Sequence, residues 1–462
     1  MPMHHQLFAE HALLPNGWAR DVLLQWNAQG QWQAIKTGLA AGPQVLRATG
    51  PVLPGMPNLH SHAFQRAMAG LTEYRSHTQD SFWSWRTLMY QFAAQLGPAQ
   101  LEAIATALYV EMLEAGFTSV CEFHYLHHDA QGQAYADAAE MSLALLRAAQ
   151  RTGMGMTLLP VFYQTSGFGG SPASQGQRRF LHSTDAMLRL LERLRPSCDA
   201  QSARLGLAPH SLRAVPPESL HEVLAGLKAL DASAPIHIHI AEQTAEVDAC
   251  LAWSGQRPVA WLLDHAPVDA RWCLVHATHM DAHEYQRTAA SGAVAGLCPT
   301  TEANLGDGIF EFKTWQNHQG AWGIGSDSHI AVNPAEDLML LEYSQRLSLR
   351  QRNVAANERQ PDVAQALWQG AVAGGAQAAA RPVAGLAVGQ RADFIVLDAH
   401  HPALAGLSPE QMLASHVFAS SRQSAVAQVW SGGQRVVQEG RHALHNEAMA
   451  GLVQARRDLL KT

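Results

Sequence analysis

The chain has 462 residues, of which 47% are hydrophobic and 15% are charged, a composition that is typical of globular proteins and excludes a disordered or fibrous chain. Its length allows one large domain and a smaller module. Because 39 Asp and Glu outnumber 32 Lys and Arg, the chain offers no basic surface for nucleic acid or anionic lipid. The first residues lack a signal-peptide pattern and no apolar run reaches membrane-spanning length, so we expect a cytoplasmic protein without membrane partners.

Both ends of the chain are predicted to be rich in β-strands. Residues 1–53 alternate apolar and polar side chains between turn signals, as in WARDVLLQWNAQGQWQAI. Residues 384–462 contain the similar stretches ADFIVLD and AVAQVWSGGQRVVQEG. Alternation of this kind is typical of antiparallel strands. We expect the two ends to form one small β-sandwich, with a C-terminal tail after its second part.

Between these ends, short apolar runs alternate with segments of helical period, such as PAQLEAIATALYVEMLEAG. Alternating strands and helices predict an α/β fold with a parallel sheet, and eight strands over residues 54–383 predict a (β/α)8 barrel of the TIM type. An open, doubly wound sheet is the alternative, because the pattern does not show closure. The eight predicted strands are VLPGMPNLH, GFTSVCEFHYL, GMGMTLLPVFY, RLGLAPHSL, PIHIHIAEQ, RWCLVHATH, GAVAGLCP and AWGIGSDSH.

Polar side chains that could hold a metal ion lie at the ends of four of these runs. In a (β/α)8 barrel the carboxyl ends of the strands meet at the face that carries the active site. Alternate residues of a strand point the same way, so an HxH pair can face one ion. The candidates are His60 and His62 on the first strand, His237, His239 and Glu242 on the fifth, His276 on the sixth and Asp327 on the eighth.

The motifs PNLHSHAFQRAM, HIHIAEQ and GSDSH, together with the strand-six histidine, resemble the amidohydrolase superfamily in its deaminase branch. The ADFIVLD stretch is also similar to strands of the sandwich in that superfamily. The resemblance implies a metal-dependent hydrolase. It implies that the metal ligands are His60, His62, His239 and Asp327.

The same resemblance implies the catalytic groups. Glu242 would carry a proton from a water molecule to the leaving nitrogen, while His276 and Asp327 would orient or activate the water. The alternative for Glu242 is a carboxylate that stabilises the start of a helix through its dipole.

The resemblance also bears on the number of metal ions. Three imidazoles and one carboxylate suit a single divalent ion, with zinc favoured over iron. Binuclear relatives use a carboxylated lysine on a barrel strand, but no lysine of this chain lies at the end of the fourth strand. The lysines are Lys36, Lys228, Lys313 and Lys461.

A second group of polar residues follows strand ends or lies in early loops and could line the substrate pocket. Two arginines in one pocket favour a small-molecule substrate with two carboxylates, because bidentate pairs with charged partners are strong. Each of these side chains also has a structural alternative, such as stacking or an ion pair. The candidates are Gln65, Arg86, Tyr125, His210 and Arg213.

A closer resemblance extends over nearly the whole chain. The stretches MPNLHSHAFQRAMAGLTE, SFWSWR, EFHYLHH, APHSLRAV and GSDSHIAVNP are similar to the formimidoylglutamate deiminases of histidine breakdown. This similarity implies hydrolysis of N-formimidoyl-L-glutamate to N-formyl-L-glutamate and ammonia. It also implies that the five pocket candidates bind the substrate.

Two other functions remain open from the sequence. One is a deaminase or hydrolase of a cytosine, guanine or triazine ring, and the other is a noncatalytic scaffold relative, against which the intact ligand set argues. A homodimer is expected from the frequency of twofold symmetry among enzymes. Five histidines near predicted strand ends have no assigned role: His124, His127, His128, His237 and His329.

Overall fold

The computed structural model describes residues 5–73, 82–420 and 424–461. The barrel and the strands around it fall into three hydrogen-bonded sheets. The strands are β1 (Gln6–Leu14), β2 (Gly17–Trp26), β3 (Trp32–Lys36), β4 (Leu46–Arg47), β5 (Val52–Pro54), β6 (Met56–Ser61), β7 (Phe117–His124), β8 (Gly155–Phe162), β9 (Arg204–Leu205), β10 (Ala208–Pro209), β11 (Ile236–Ile240), β12 (Trp272–His276), β13 (Val294–Leu297), β14 (Trp322–Ile324), β15 (Phe394–Leu397), β16 (Val426–Ser431), β17 (Gln434–Gln438) and β18 (Arg441–His442).

Helices follow most of the barrel strands. Two short 3-10 helices, η1 (Ala63–Ala67) and η2 (Gln175–Gln177), lie in loops. The α-helices are α1 (Phe82–Gln95), α2 (Pro98–Ala115), α3 (Glu140–Thr152), α4 (Thr184–Ala200), α5 (Pro217–Leu230), α6 (Thr244–Ser254), α7 (Pro258–His265), α8 (Ala282–Ser291), α9 (Pro299–Leu305), α10 (Phe312–Asn317), α11 (Pro334–Leu349), α12 (Val363–Ala379), α13 (Pro409–Ala419) and α14 (His445–Leu460).

The parallel strands close into a barrel. One sheet has the order β10-β8-β7-β6, with β9 also paired to β8, and the other has the order β11-β12-β13-β14. Parallel bridges join the two sheets, one between Leu207 and Ile236 and one between Ser61 and Asp327. Closure excludes the open sheet, and the predicted (β/α)8 barrel is confirmed.

The first predicted strand divides between two sheets. Val52–Pro54 pairs with β15 and Met56–Ser61 pairs with β7. At the division, a Cβ atom on Gly55 would lie 2.4 Å from the side chain of Thr118. Glycine therefore lets the chain pass close to the barrel as it leaves one sheet and enters the other.

Strands from both chain ends form the third sheet, as predicted. Its nine strands include β1 to β5 and β15 to β18, and its core is aromatic. Trp26 contacts Trp32 and Trp430 at ring-centroid distances of 5.5 and 5.6 Å, and Phe394 stacks on Trp430 at 5.3 Å. The residues predicted as a C-terminal tail include α14, which packs on α2. The domain boundaries themselves stay predictions.

Helix α12 closes the amino-terminal end of the barrel. The carbonyl of Ala378 accepts a hydrogen bond from Nε2 of His237 at 2.8 Å, and the carbonyl of Ala379 accepts one from the hydroxyl of Thr157 at 2.8 Å. His237 therefore lies deep in the barrel on β11 and does not end the strand, because the strand continues to Ile240. This closure leaves the carboxyl-terminal face for the functional site. Among the helices of the described residues, none is both long and apolar enough to cross a bilayer.

Candidate active site

Three imidazoles meet at the carboxyl-terminal face of the barrel. His60 lies near the end of β6, His62 directly follows that strand, and His239 lies near the end of β11. The Nε2 atom of His60 lies 3.1 Å from Nε2 of His62 and 3.0 Å from Nε2 of His239. The predicted HxH and HxHxxE motifs are therefore brought together, although 179 positions separate His60 from His239.

A carboxylate completes this group. Oδ1 of Asp327 lies 3.4 Å from Nε2 of His60 and 3.3 Å from Nε2 of His62. Asp327 follows β14 and is joined to β6 through the closing bridge of the barrel. The four residues whose side chains could share one ion are thus within a few ångströms of each other.

Hydrogen bonds to the backbone set the tautomers of two of the imidazoles. Nδ1 of His62 donates to the carbonyl of Phe123 at 2.8 Å, and Nδ1 of His239 donates to the carbonyl of His210 at 3.2 Å. Because a carbonyl only accepts, each of these rings must carry its proton on Nδ1. Their Nε2 lone pairs therefore both point at the shared centre, which is the second-shell arrangement of metal-binding histidines.

The donor set fits a metal ion. Ligand atoms held tetrahedrally at about 2.0–2.1 Å from zinc are roughly 3.3–3.4 Å apart, close to the distances between these four side chains. Nε2 of His60 carries at most one proton, which can point at only one of the two neighbouring Nε2 lone pairs. The other lone pair therefore faces no donor unless a cation occupies the centre. Burial lowers the pKa of His60 to about 3 and also lowers the pKa of His62 and His239, so all three rings are neutral and free to coordinate.

The backbone around the centre is strained. His276 has a φ of 66°, Asp327 a φ of 46° and Ala241, which precedes Glu242, a φ of 49°. Residues with side chains rarely adopt the left-handed region, and such strain is frequent at functional sites. His276 ends β12, Ala241 directly follows β11 and Asp327 lies three residues after the end of β14. The left-handed backbone therefore turns side chains towards the centre just where the strands stop.

His276 lies among three carboxylates beside the centre. Its Nε2 is 3.8 Å from Oε1 of Glu242 and 3.8 Å from Oδ2 of Asp327, and its Nδ1 is 3.3 Å from Oε1 of Glu302. Glu302 was not among the predicted residues. Its place on α9, four residues after Cys298, gave no metal-binding pattern in the sequence.

His276 and the carboxylates around it shift one another's pKa values. Burial alone would lower the pKa of His276, but Glu242, Glu302 and Asp327 raise it to about 10. Burial raises the pKa of Glu242 to about 7, against the opposing effect of His276. Burial would also raise the pKa of Asp327, but the hydrogen bond from His60 and the nearby histidines hold it below its usual range. Glu242 is therefore close to the proton affinity that suits a general acid and base near neutral pH.

A pocket opens from this centre and encloses about 560 Å³ of space, its mouth included. All five predicted pocket residues line it. Its lining is His62, Gln65, Trp85, Arg86, Met89, Tyr90, Tyr125, Tyr163, Phe180, His210, Arg213, His239, Glu242, His276, Leu305 and Asp327.

Two arginines line the pocket that opens from the imidazole cluster of His60, His62 and His239. Arg86 belongs to α1, so it is helical and does not lie in a loop. Arg213 is 8% exposed, and its Nε lies 3.9 Å from Oε1 of Glu246. The other carboxylate oxygen of Glu246 accepts a hydrogen bond from the backbone of Glu242 at 3.1 Å. Glu246 thus connects the arginine to the segment that carries the candidate acid and base.

Several lining residues were missed from the sequence. Trp85, Met89 and Tyr90 lie on α1 beside Arg86. Their spacing in WRTLMY matches one face of a helix, which is the signal that could have found them. Tyr163 immediately follows β8 and could have been found as a strand-end residue.

The unassigned histidines near strand ends have structural contacts. His329 lies between two serines, with Nδ1 3.0 Å from the hydroxyl of Ser326. Nε2 of His127 donates to the carbonyl of Val161 at 3.0 Å, and Nε2 of His128 donates to the carbonyl of Leu181 at 2.7 Å. His124 ends β7 and packs on His127 with ring centroids 5.3 Å apart.

Comparison with known proteins identifies the architecture. The sequence model of the amidohydrolase family matches residues 52–436, and that of the formimidoylglutamate deiminase HutF N-terminal domain matches residues 4–45. The chain is 52% identical over 454 residues to a formimidoylglutamate deiminase of Pseudomonas aeruginosa, which covers 98% of this chain and 99% of that protein.

Solved structures agree with these matches. An amidohydrolase from Brucella melitensis superposes with a TM-score of 0.93 at 49% identity, covering 99% of this chain and 100% of its own. An adenosine deaminase from Xanthomonas campestris with bound zinc shares the fold, with a TM-score of 0.79 at 19% identity and coverage of 99% and 98%.

A closed barrel with imidazoles and a carboxylate gathered at its carboxyl-terminal edge defines a hydrolase of the amidohydrolase type. The nearly full-length identity narrows the class. The chain belongs to the amidohydrolase family and, within it, to the formimidoylglutamate deiminases.

Proposed function

We propose that this chain hydrolyses N-formimidoyl-L-glutamate to N-formyl-L-glutamate and ammonia, a step of histidine breakdown. The observation that carries the proposal is that one pocket is lined by two chemically different parts, one cationic and one that carries an acid and base. Arg86 and Arg213 offer cationic partners for two carboxylates, while Glu242 and His276 lie beside the imidazole cluster. A linear dicarboxylate with a formimidoyl group at one end matches both parts.

The imidazole cluster is proposed to hold one divalent ion, with zinc favoured. Support comes from the distances within the donor set and from the neutral imidazoles. An ion held there supplies Lewis-acid activation of a water molecule. The residues proposed to hold it are His60, His62, His239 and Asp327.

The side chains around the ion are proposed to move the protons. Glu242 accepts a proton from the attacking water and donates a proton to the departing nitrogen, which leaves as ammonia. The protonated ring of His276 donates a hydrogen bond where negative charge develops on oxygen, and Asp327 helps to orient the water. The left-handed backbone at Ala241 and His276 holds both groups towards the same point.

The other end of the pocket is proposed to select the substrate. Arg86 and Arg213 would pair with the carboxylates, and neighbouring polar side chains would complete the hydrogen bonds. Nε2 of Gln65 already donates to the hydroxyl of Tyr125 at 2.8 Å, which fixes the orientation of both side chains. His210 lies between Tyr163 and His239, with ring centroids at 4.7 and 5.0 Å.

The alternative functions have less support. A ring substrate such as cytosine or guanine presents no carboxylates, so it would make no use of the charge-assisted hydrogen bonds that Arg86 and Arg213 can donate. A noncatalytic scaffold would have no use for the acid and base beside the cluster. The cytoplasmic location and the homodimer stay predictions from the sequence.

Ammonia release by the metal-loaded protein tests the proposal. We expect turnover of N-formimidoyl-L-glutamate and none of cytosine or guanine at the same concentration. Removal of the metal with a chelator should abolish turnover, and zinc should restore it. Ammonia release from cytosine or guanine, with none from formimidoylglutamate, would overturn the assignment.

A further inference from the structure

Two tyrosines of the pocket have no role in the chemistry described above. Tyr163 follows β8 and is 2% exposed, and Tyr90 lies on α1. Both line the pocket that contains the two arginines. Their hydroxyls belong to different elements, yet one buried side chain holds them together.

That side chain is Gln177 of η2, which is fully buried. Its amide nitrogen lies 2.5 Å from the hydroxyl of Tyr163 and 3.3 Å from the hydroxyl of Tyr90. Its amide oxygen accepts the backbone N–H of Ser174 at 2.7 Å. Because the oxygen is engaged by a donor, the amide orientation is fixed, and both tyrosine oxygens receive hydrogen bonds from Gln177.

Each hydroxyl therefore accepts one hydrogen bond and keeps a proton to donate. Both hydroxyls belong to residues that line the pocket. A hydrogen-bond donor of this kind, next to two guanidinium groups, suits an anionic oxygen.

The arginines act on the same place. The guanidinium of Arg86 lies over the ring of Tyr90, 5.3 Å from its centroid. Burial raises the pKa of Tyr163, with Arg213 and Arg86 opposing the rise. Tyr163 therefore remains a neutral donor across the working pH range, and its hydroxyl lies in the field of both cations.

The position along the pocket selects one carboxylate. The ring of Tyr163 is separated from the candidate ligand His239 by the single ring of His210. In a formimidoylglutamate the α-carboxylate is close to the reacting carbon, and the side-chain carboxylate lies two bonds further away. Tyr163 and His239 are separated by the width of one aromatic ring. This separation fits the side-chain carboxylate, which is the one further from the reacting carbon.

We propose that Tyr163 and Tyr90, held by Gln177 beside the two pocket arginines, form a donor site for the side-chain carboxylate of the substrate. Tyr163 and Tyr90 are the groups that touch the carboxylate, and Gln177 is a positioning residue. The inference rests on the proposed function for the identity of the substrate. If the donor site exists, recognition of the side-chain carboxylate depends on α1, which carries Tyr90, and on the loop between β8 and α4, which carries Tyr163 and Gln177.

Two substrates and three variants test the inference in the metal-loaded enzyme. The substrates are N-formimidoyl-L-glutamate and N-formimidoyl-L-2-aminobutyrate, which lacks the side-chain carboxylate. Loss of a hydrogen bond to a charged group predicts that Tyr163→Phe lowers kcat/KM for the first substrate by roughly 10- to 100-fold, mainly through KM. The value for the second substrate should not change. Gln177→Leu should follow the same pattern, and Tyr343→Phe on the outer face of α11 is the matched control.

Equal losses on both substrates, or none on either, would overturn the inference. If Gln177→Leu does not fold, Tyr163→Phe still decides, because it removes one oxygen atom. Calorimetric binding of glutarate and butyrate separates this inference from the proposed function, since it needs no turnover. Tyr163→Phe should weaken binding of glutarate and leave that of butyrate unchanged. A wild-type enzyme that binds glutarate in this way but releases no ammonia from formimidoylglutamate would refute the function and retain the site.

Discussion

At the scale of single residues, the surroundings of Glu242 decide what its carboxyl group can do. Its side chain is 7% exposed and lies 3.8 Å from the imidazole of His276. Burial raises its pKa to about 7, so near neutral pH it exchanges a proton with little cost.

Replacement of Glu242 by Gln should leave metal binding intact and remove most turnover. The amide keeps the size of the side chain but cannot carry the proton, and general acid–base catalysis contributes roughly 10²- to 10⁴-fold. We expect a loss of that order in kcat with an unchanged metal content by elemental analysis. Glu218→Gln, at the exposed start of α5, is the control for a helix-start carboxylate. Full activity of Glu242→Gln would refute the proton-transfer role.

At the scale of elements, the junction of β6, β7 and α2 holds the HxH segment in place. Glu122 of β7 is 1% exposed and accepts hydrogen bonds from the backbone N–H of Ala63 at 2.7 Å, the hydroxyl of Ser61 at 2.7 Å and the hydroxyl of Tyr109 at 3.1 Å. Ser61 and Ala63 flank His62. One buried carboxylate therefore fixes the backbone on both sides of a candidate ligand.

Glu122→Ala should weaken metal binding without altering any candidate ligand. Loss of supporting interactions of this kind typically costs 10- to 100-fold in metal affinity, and we expect a decrease of about that size. Competition with a chromophoric chelator measures it. Glu102→Ala, which removes a partly exposed ion pair with Arg147 on the surface of α2, is the matched control. An affinity equal to that of the wild type would exclude the supporting role.

The elements also show how far the sequence could lead. Strand-end positions predicted the grouping of His60, His239 and Asp327 because parallel strands share one edge, and the structure brings these side chains together. Gln177 could not be predicted in the same way. It lies in a loop after β8, and its contact with Tyr90 depends on where α1 packs, which no local pattern determines. His237 was placed too near the strand end, because periodicity does not give the depth of a residue in the barrel.

At the scale of the whole molecule, buried neutral histidines set the response to acid. Several lie outside the imidazole cluster, and burial lowers the pKa of His124 and His182 to about 3 and that of His237 and His416 to about 4. In the unfolded chain these groups take up protons below pH 6.5. The unfolded state then binds more protons than the folded one, so the free energy of unfolding falls as the pH decreases below 6.5.

His416→Leu should reduce this sensitivity to acid. His416 is fully buried on α13, and neither ring nitrogen finds a hydrogen-bond partner among residues 5–73, 82–420 and 424–461. Between its unfolded-state and folded-state pKa values, each such histidine lowers the free energy of unfolding by about 1.4 kcal/mol for every unit of decrease in pH. Denaturant unfolding at several pH values from 6.5 downwards should show a shallower decline in the variant than in the wild type. Parallel curves would contradict the expectation.

The origin of the pocket walls has a consequence for how such an enzyme can change over time. The reacting end is built from strand ends that the closed barrel holds together, whereas Arg86, Tyr90 and Tyr163 come from α1 and the loop after β8. Substitutions in these two outer segments can alter which molecule is accepted while the hydrolytic machinery stays intact. Related enzymes can therefore acquire new substrates through a few substitutions in these segments, and each intermediate sequence keeps its hydrolytic activity.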